Sequence, residues 1–116
     1  MKKAIFRSLN DIKSITTSHG IGEKHVFLEN EEVLSNLTQT AIGSLKKGEC
    51  IERHIHPTME EYYYFLSGSA SFDIEENTFI CEAGSFVYIP CNTKHQLSTD
   101  SSVGFLYWGV AINELY

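Results

Sequence analysis

Apolar and polar residues alternate with a period of two along most of this 116-residue chain, the repeat of a strand that turns one face to a core. Leu37–Leu45 ("LTQTAIGSL") predicts a strand that ends at the turn signal "KKGE". Glu61–Leu66 ("EYYYFL") predicts an aromatic-rich strand closed by "SGS". In Ser69–Ile74, Ala70, Phe72 and Ile74 share one face while Ser71 and Asp73 share the other. "EEN" then turns the chain and "TFICEAG" runs back, which predicts a hairpin. Phe86–Ile89 ends at Pro90, which has no N–H to give a ladder, and Val103–Ile112 ("VGFLYWGVAI") predicts a last strand. Helical periodicity is confined to "SLNDIKSI", where Leu9, Ile12 and Ile15 predict a short turn with one apolar side. Glu29–Asn36 ("ENEEVLSN") reads as a mobile loop. About seven or eight short strands joined by Gly-, Asn- and Ser-bearing turns predict an all-β sandwich or barrel, a single domain over residues 1–116.

Composition narrows the function classes. Hydrophobic residues make up 42% and charged residues 21%, the profile of a globular chain with one core. A net charge of −6, with no basic run longer than the "KK" at 2–3 and 46–47, argues against nucleic acid or an anionic membrane surface as partner. Arg7, Asn10, Asp11 and Lys13 interrupt any apolar stretch after the first lysines, so no signal peptide is expected. No window is long and apolar enough for a membrane-spanning helix. Three widely spaced cysteines, Cys50, Cys81 and Cys91, without a CxxC, predict a reduced cytoplasmic protein.

Residues 54–61, "HIHPTMEE", hold two of the five histidines. On a strand, residues i and i+2 face the same way, roughly 6.6 Å apart at about 3.3 Å per residue. His54 and His56 can then converge on one ion while Arg53 and Ile55 face away. Pro57 takes the chain out of the strand, and "PTME" brings Glu61, or Glu60, back toward the imidazoles. A carboxylate buried beside two imidazoles needs a cation to compensate it. Of these two acids, Glu60 reads as a solvated neighbour. His19 and His25, in "TSHGIGEKH", read as surface residues without a spaced partner, and the Tyr62–Tyr64 run as core and interface packing.

The wider spacing carries a resemblance. Gly48, five residues, His54, one residue, His56, four residues, Glu61, six residues and Gly68 resemble the first motif of the cupin superfamily. Gly84, five residues, Pro90 and then His95 five further on resemble its second motif. Asn92 stands where that motif usually has Gly, and Asn tolerates a left-handed backbone better than other side chains. Ser98 and Thr99 stand where it usually has Asn, a position that holds no metal. The resemblance implies a small single-domain cupin: a jelly-roll-like barrel, or double-stranded β-helix, of two packed antiparallel sheets. It also implies a divalent metal held by His54, His56, Glu61 and His95.

Such a mixed N/O set suits Mn, Fe, Co, Ni or Zn. The function this implies is a metal-dependent oxygenase or isomerase on a small oxygen-rich metabolite, with a non-catalytic ligand-binding or sensing cupin as the alternative. Tyr63 shares strand parity with Glu61, so its hydroxyl is expected inside the barrel, where it is the candidate catalytic side chain. Gln39, in an otherwise small and apolar strand, is a candidate lining residue, and Cys91 reads either as a mouth residue or as a buried small hydrophobe. Arg7 and Arg53 are the candidate guanidinium clamps, with Arg53 aimed away from the site and Lys94 toward solvent. Sheet edges in a chain this small, and more large aromatics than one barrel can enclose, predict a homodimer.

Overall fold

In the computed structural model, which describes residues 2–112, alternation is realised as nine strands and two short 3-10 turns. The strands are β1 (Ile15–Thr16), β2 (Glu23–Glu29), β3 (Leu37–Leu45), β4 (Cys50–His54), β5 (Met59–Ile74), β6 (Asn77–Glu82), β7 (Phe86–Ile89), β8 (His95–Ser98) and β9 (Val103–Ala111). All pairings are antiparallel, in the order β1-β2-β3-β9-β5-β8-β4, with β6 and β7 also on β5. One sheet curls into two leaves, and β5 belongs to both. Its first half pairs with β9 and β7, and its second half with β6 and β8.

The single long β5 corrects the expectation that "SGS" closes a strand. The register slips between Phe65 and Ser67. One extra residue in a ladder reverses which parity faces the core. Glu61, Tyr63 and Phe65 are buried before the slip, whereas Ala70 and Phe72 are buried after it. Gly68 sits at the bend with φ 72°, and an added Cβ would lie 1.9 Å from the Ser102 carbonyl oxygen. Backbone cannot move aside as a flexible side chain can. Gly68→Ala is therefore expected to destabilise the fold by about 2–4 kcal/mol through left-handed strain and overpacking. Urea unfolding measures this, and an unchanged midpoint would contradict the bend geometry.

The core lies between the leaves, where Phe65 and Phe72 are fully buried among Leu45, Ile89, Leu97 and Phe105. The hairpin at Glu75–Glu76 and the ends of β3 and β7 match the sequence pattern. "SLNDIKSI" does not form a core-facing turn: only Leu9–Asp11 make a 3-10 turn, and Leu9 and Ile15 are exposed. Such a short segment has too little apolar face to displace the sheet's own packing. "ENEEVLSN" holds a 3-10 turn, Asn30–Glu32, with reciprocal capping by Glu29 and Glu32 and an ion pair from Arg7 to Glu32. His25 lies on β2 rather than in a loop, half-buried opposite Ile42.

Both departures from the motif pattern are absorbed locally. Asn92 adopts the left-handed region, φ 58°, and its N–H donates to the His56 carbonyl at 2.9 Å. Thr99 is buried and its hydroxyl donates to the Ser69 carbonyl at 2.6 Å, a link between β8 and β5. Among the described residues no helix is long and apolar enough to cross a membrane.

Candidate metal centre

Four chemistry-bearing side chains meet at one end of the barrel because three segments end there. His54 closes β4 and is the ladder partner of His95, the first residue of β8. Glu61 enters from β5, and its parity with Tyr63 and Phe65 turns it inward. His56 lies in the connection before β5 rather than on a strand, held by the bond from Asn92 to its carbonyl. His54 and His56 therefore come together, but not through the shared face of a continuous strand. One ligand atom from each of His54, His56, Glu61 and His95 lies within 4.8 Å of the others.

The histidine tautomers follow from hydrogen bonding. Nδ1 of His54 lies 2.8 Å from the Glu52 carbonyl, and Nδ1 of His95 lies 2.8 Å from the Thr93 carbonyl. A carbonyl only accepts, so in the neutral rings Nδ1 carries the proton and Nε2 keeps its lone pair. Nε2 of His95 is buried and makes no hydrogen bond, although Glu61 Oε1 is 3.2 Å away. Nε2 of His56 is 3.5 Å from the other carboxylate oxygen. An imidazole lone pair and a carboxylate oxygen are both acceptors, so their buried approach is unfavourable until a cation lies between them. The donor set fits a divalent transition metal on this ground.

The electrostatics favour positive charge beside Glu61. Burial pushes its carboxyl up, but positive charge at the facing His95, His56 and His54 outweighs this and holds it below the usual carboxylate range, the place a bound cation would take when the rings are neutral. Burial pulls the His54 imidazole down against the opposing pull of its bond to Glu52, so the ring is kept neutral and free to bind. Tyr63 is fully enclosed, its hydroxyl donating to Glu61 at 3.4 Å, and burial holds its pKa well above the usual value. Glu60 is no ligand, but neither is it merely solvated. On the outer face it accepts hydrogen bonds from Tyr62 at 3.2 Å and from Tyr88.

The cluster forms one wall of a cavity of about 260 Å³, whose other walls include Gln39, Tyr63, Phe72 and Tyr107. Gln39 thus lines it as its position in an apolar strand suggested. Cys91 is half-buried and not part of the lining, and Arg53 and Lys94 are exposed. Two lining residues lack a local sequence signal. His19, in the β1–β2 loop, is exposed as a surface residue is expected to be, but its ring lies 4.4 Å from that of His54, so it is not without a partner. Lys24 enters from β2 and reaches Gln39. Only the pairing of distant strands brings these two to the cluster.

The fold recurs in solved structures. A predicted oxalate decarboxylase from Thermotoga maritima superposes with a TM-score of 0.83 at 19% identity, over 93% of this chain and 100% of that one. A sugar phosphate isomerase from Silicibacter pomeroyi superposes with a TM-score of 0.74 at 18% identity, over 89% of this chain and 73% of that one. In sequence, the chain is 33% identical over 55 residues to the polyketide synthase CurC of Streptomyces cyaneus, a match spanning 47% of this chain and 36% of that protein. Residues 41–108 match the family model described as a cupin domain. That match spans more than half of the chain and includes both halves of the His/Glu cluster, so this protein belongs to the cupin family.

Proposed function

We propose that this cupin is a metal-dependent enzyme, an oxygenase or isomerase, acting on a small oxygen-rich metabolite. The buried, unpartnered Nε2 of His95 facing the Glu61 carboxylate carries the proposal. His54, His56, Glu61 and His95 would hold the ion, one of Mn, Fe, Co, Ni or Zn. When bound, such an ion supplies Lewis-acid polarisation of substrate oxygen atoms. The Glu52 and Thr93 carbonyls orient the His54 and His95 rings, as outer partners of metal-binding histidines do. Tyr63 keeps its proton and donates it toward Glu61, orienting the carboxylate from beneath. Phe72 and Phe105 in the lining limit water behind the site. Oxalate and sugar phosphate, in the names of the two similar folds, are small oxygen-rich compounds; at these identities they support the fold and only suggest the class.

The alternative is a non-catalytic cupin that binds or senses a ligand in the same cavity. Burial favours it in one respect: Tyr63 is held well above its ordinary value and Tyr107 is pushed up to about 12, so neither hydroxyl is a ready base at neutral pH. Elemental analysis tests the metal first, with about one transition metal per chain expected at pH 7.5. Metal binding needs neutral imidazoles and an ionised Glu61, so protons compete with it. Retention should weaken as pH falls below the ordinary histidine value, since burial lowers the pKa of the His54 imidazole and protons then displace metal from it. A chain that takes up no such ion at pH 7.5 sinks the proposal. Turnover of enediols, 2-hydroxy ketones and keto acids, followed by oxygen uptake and product mass, then separates oxygenase, isomerase and binding module.

We also propose that the protein is a cytoplasmic homodimer. Its cysteines are free thiols, which suits a reducing compartment. Tyr64, Leu66, Phe86 and Tyr88 are exposed beside the stacked Tyr62–Trp108 pair on the outer face of one leaf. A contiguous patch of this kind marks an interaction surface. Light scattering is expected to give twice the 13.1 kDa chain mass, and a monomeric mass at micromolar concentration refutes the dimer.

A further inference from the structure

The cavity wall on β2, β3 and β9 carries a polar network that the His/Glu cluster does not use. Lys24 Nζ donates to Gln39 Oε1 at 2.9 Å, and the Tyr107 hydroxyl donates to the same oxygen at 2.8 Å. The orientation of the amide is set by chemistry: an ammonium has no lone pair, so the atom it touches is the amide oxygen. Both lone-pair directions of that oxygen are then occupied, and the Gln39 amide nitrogen keeps two N–H groups with no protein acceptor among the described residues. Lys24 keeps two of its three N–H groups, and no carboxylate lies within ion-pair distance of it among the described residues. It is the one lysine or arginine in the cavity lining. Lys24 and Gln39 thus offer donors without a competing acceptor, half-buried and carrying a positive charge. A negative group that only accepts complements them, as a carboxylate does.

We infer that the ligand of this cavity is a small carboxylate-bearing compound whose anionic end is bound by Lys24 and Gln39, with its oxygen-rich end toward the His/Glu cluster. This deepens the proposed function and rests on it for the second end alone. A cavity of about 260 Å³ has room for a small acid. The role of Tyr107 is positional: burial keeps its hydroxyl protonated, and its bond fixes the Gln39 oxygen away from the ligand.

Two acids of equal chain length that differ at the far end test the inference: malate, which ends in a carboxylate, and 2-hydroxybutanoate, which ends in a methyl group. Their affinities are measured by calorimetry for the wild type, Lys24→Met and the near-isosteric Gln39→Glu, each with and without Ni(II). Nickel uptake and thermal midpoint are read separately. Wild type is expected to prefer malate by about tenfold or more, the scale of a charge-assisted hydrogen bond. Lys24→Met should erase most of that preference, and Gln39→Glu should reverse the donor surface and weaken malate further, with nickel uptake unchanged in both. With nickel bound, equal preference in wild type and Lys24→Met, or no preference in wild type, overturns the inference. Without nickel either acid can turn a carboxylate to Lys24, so the metal-free readout is affinity itself. Lys24→Met should then weaken both acids by about tenfold, and unchanged affinity overturns the inference. Failure of nickel uptake in wild type counts against the metal reading alone. Gln39→Glu guards against a folding artefact, since it keeps side-chain volume while replacing the two N–H donors by an acceptor and adding a negative charge.

Discussion

His56→Ala is expected to lower affinity for a divalent transition metal by more than about a hundredfold, beyond the roughly 10–100-fold that loss of an outer-shell partner brings. The fold should survive. His56 is half-buried in a connection outside the ladders, and its backbone is held by the Asn92 N–H whatever its side chain is. The variant should therefore keep a thermal midpoint within a few degrees of the metal-free wild type while its metal content falls. Removing the imidazole leaves His54 and His95 with oriented Nε2 lone pairs, but opens the side of the cluster nearest the second Glu61 oxygen. Competition against a coloured chelator gives the affinity directly. If the variant holds metal as tightly as the wild type, His56 is not a ligand and the ion, if any, sits elsewhere.

Phe72→Ala should act on the opposite quantity. Phe72 is fully buried, packed edge-on against Tyr63 and Phe65, with its ring also 6.3 Å from that of His95. Truncating an aromatic side chain in such a place removes its burial and leaves a void the two leaves cannot close. The expected loss is about 3–5 kcal/mol in urea unfolding. Because the void opens beside His95 and in the cavity wall, the variant should also hold metal less tightly than a surface control. A loss below about 1 kcal/mol, the scale of a surface change, would mean that Phe72 does not join the leaves.

Much of the site was legible along the chain because its residues are close in sequence or stand at motif spacings. His54, His56 and Glu61 lie within eight positions of one another, and His95 follows Pro90 at the spacing that resembles the second cupin motif. Strand parity with Glu61 turned Tyr63 toward the interior, and a polar side chain in a small, apolar strand marked Gln39 as a lining residue; both line the cavity. Asn92 in the left-handed region was foreseeable from the intrinsic tolerance of that side chain. Misreadings fell where local pattern and long-range pairing compete. "SGS" has the composition of a strand end, yet β5 continues because partners on both leaves stay in register past a one-residue slip. Glu60 looked solvated because Tyr88, which bonds it, is 28 residues away.

The sequence by itself determined the all-β class, most strand limits and the residue types able to bind metal, because period-two alternation, turn residues and ligand spacing are local properties. It could not say that His56 leaves the strand, that His19 packs against His54, or that Lys24, Gln39 and Tyr107 form one wall. Those facts depend on which strand lies beside which, and pairings such as β3 with β9 join residues more than sixty positions apart. Only the closed sheet, which minimises exposed apolar surface and unpaired backbone at once, decides such neighbours.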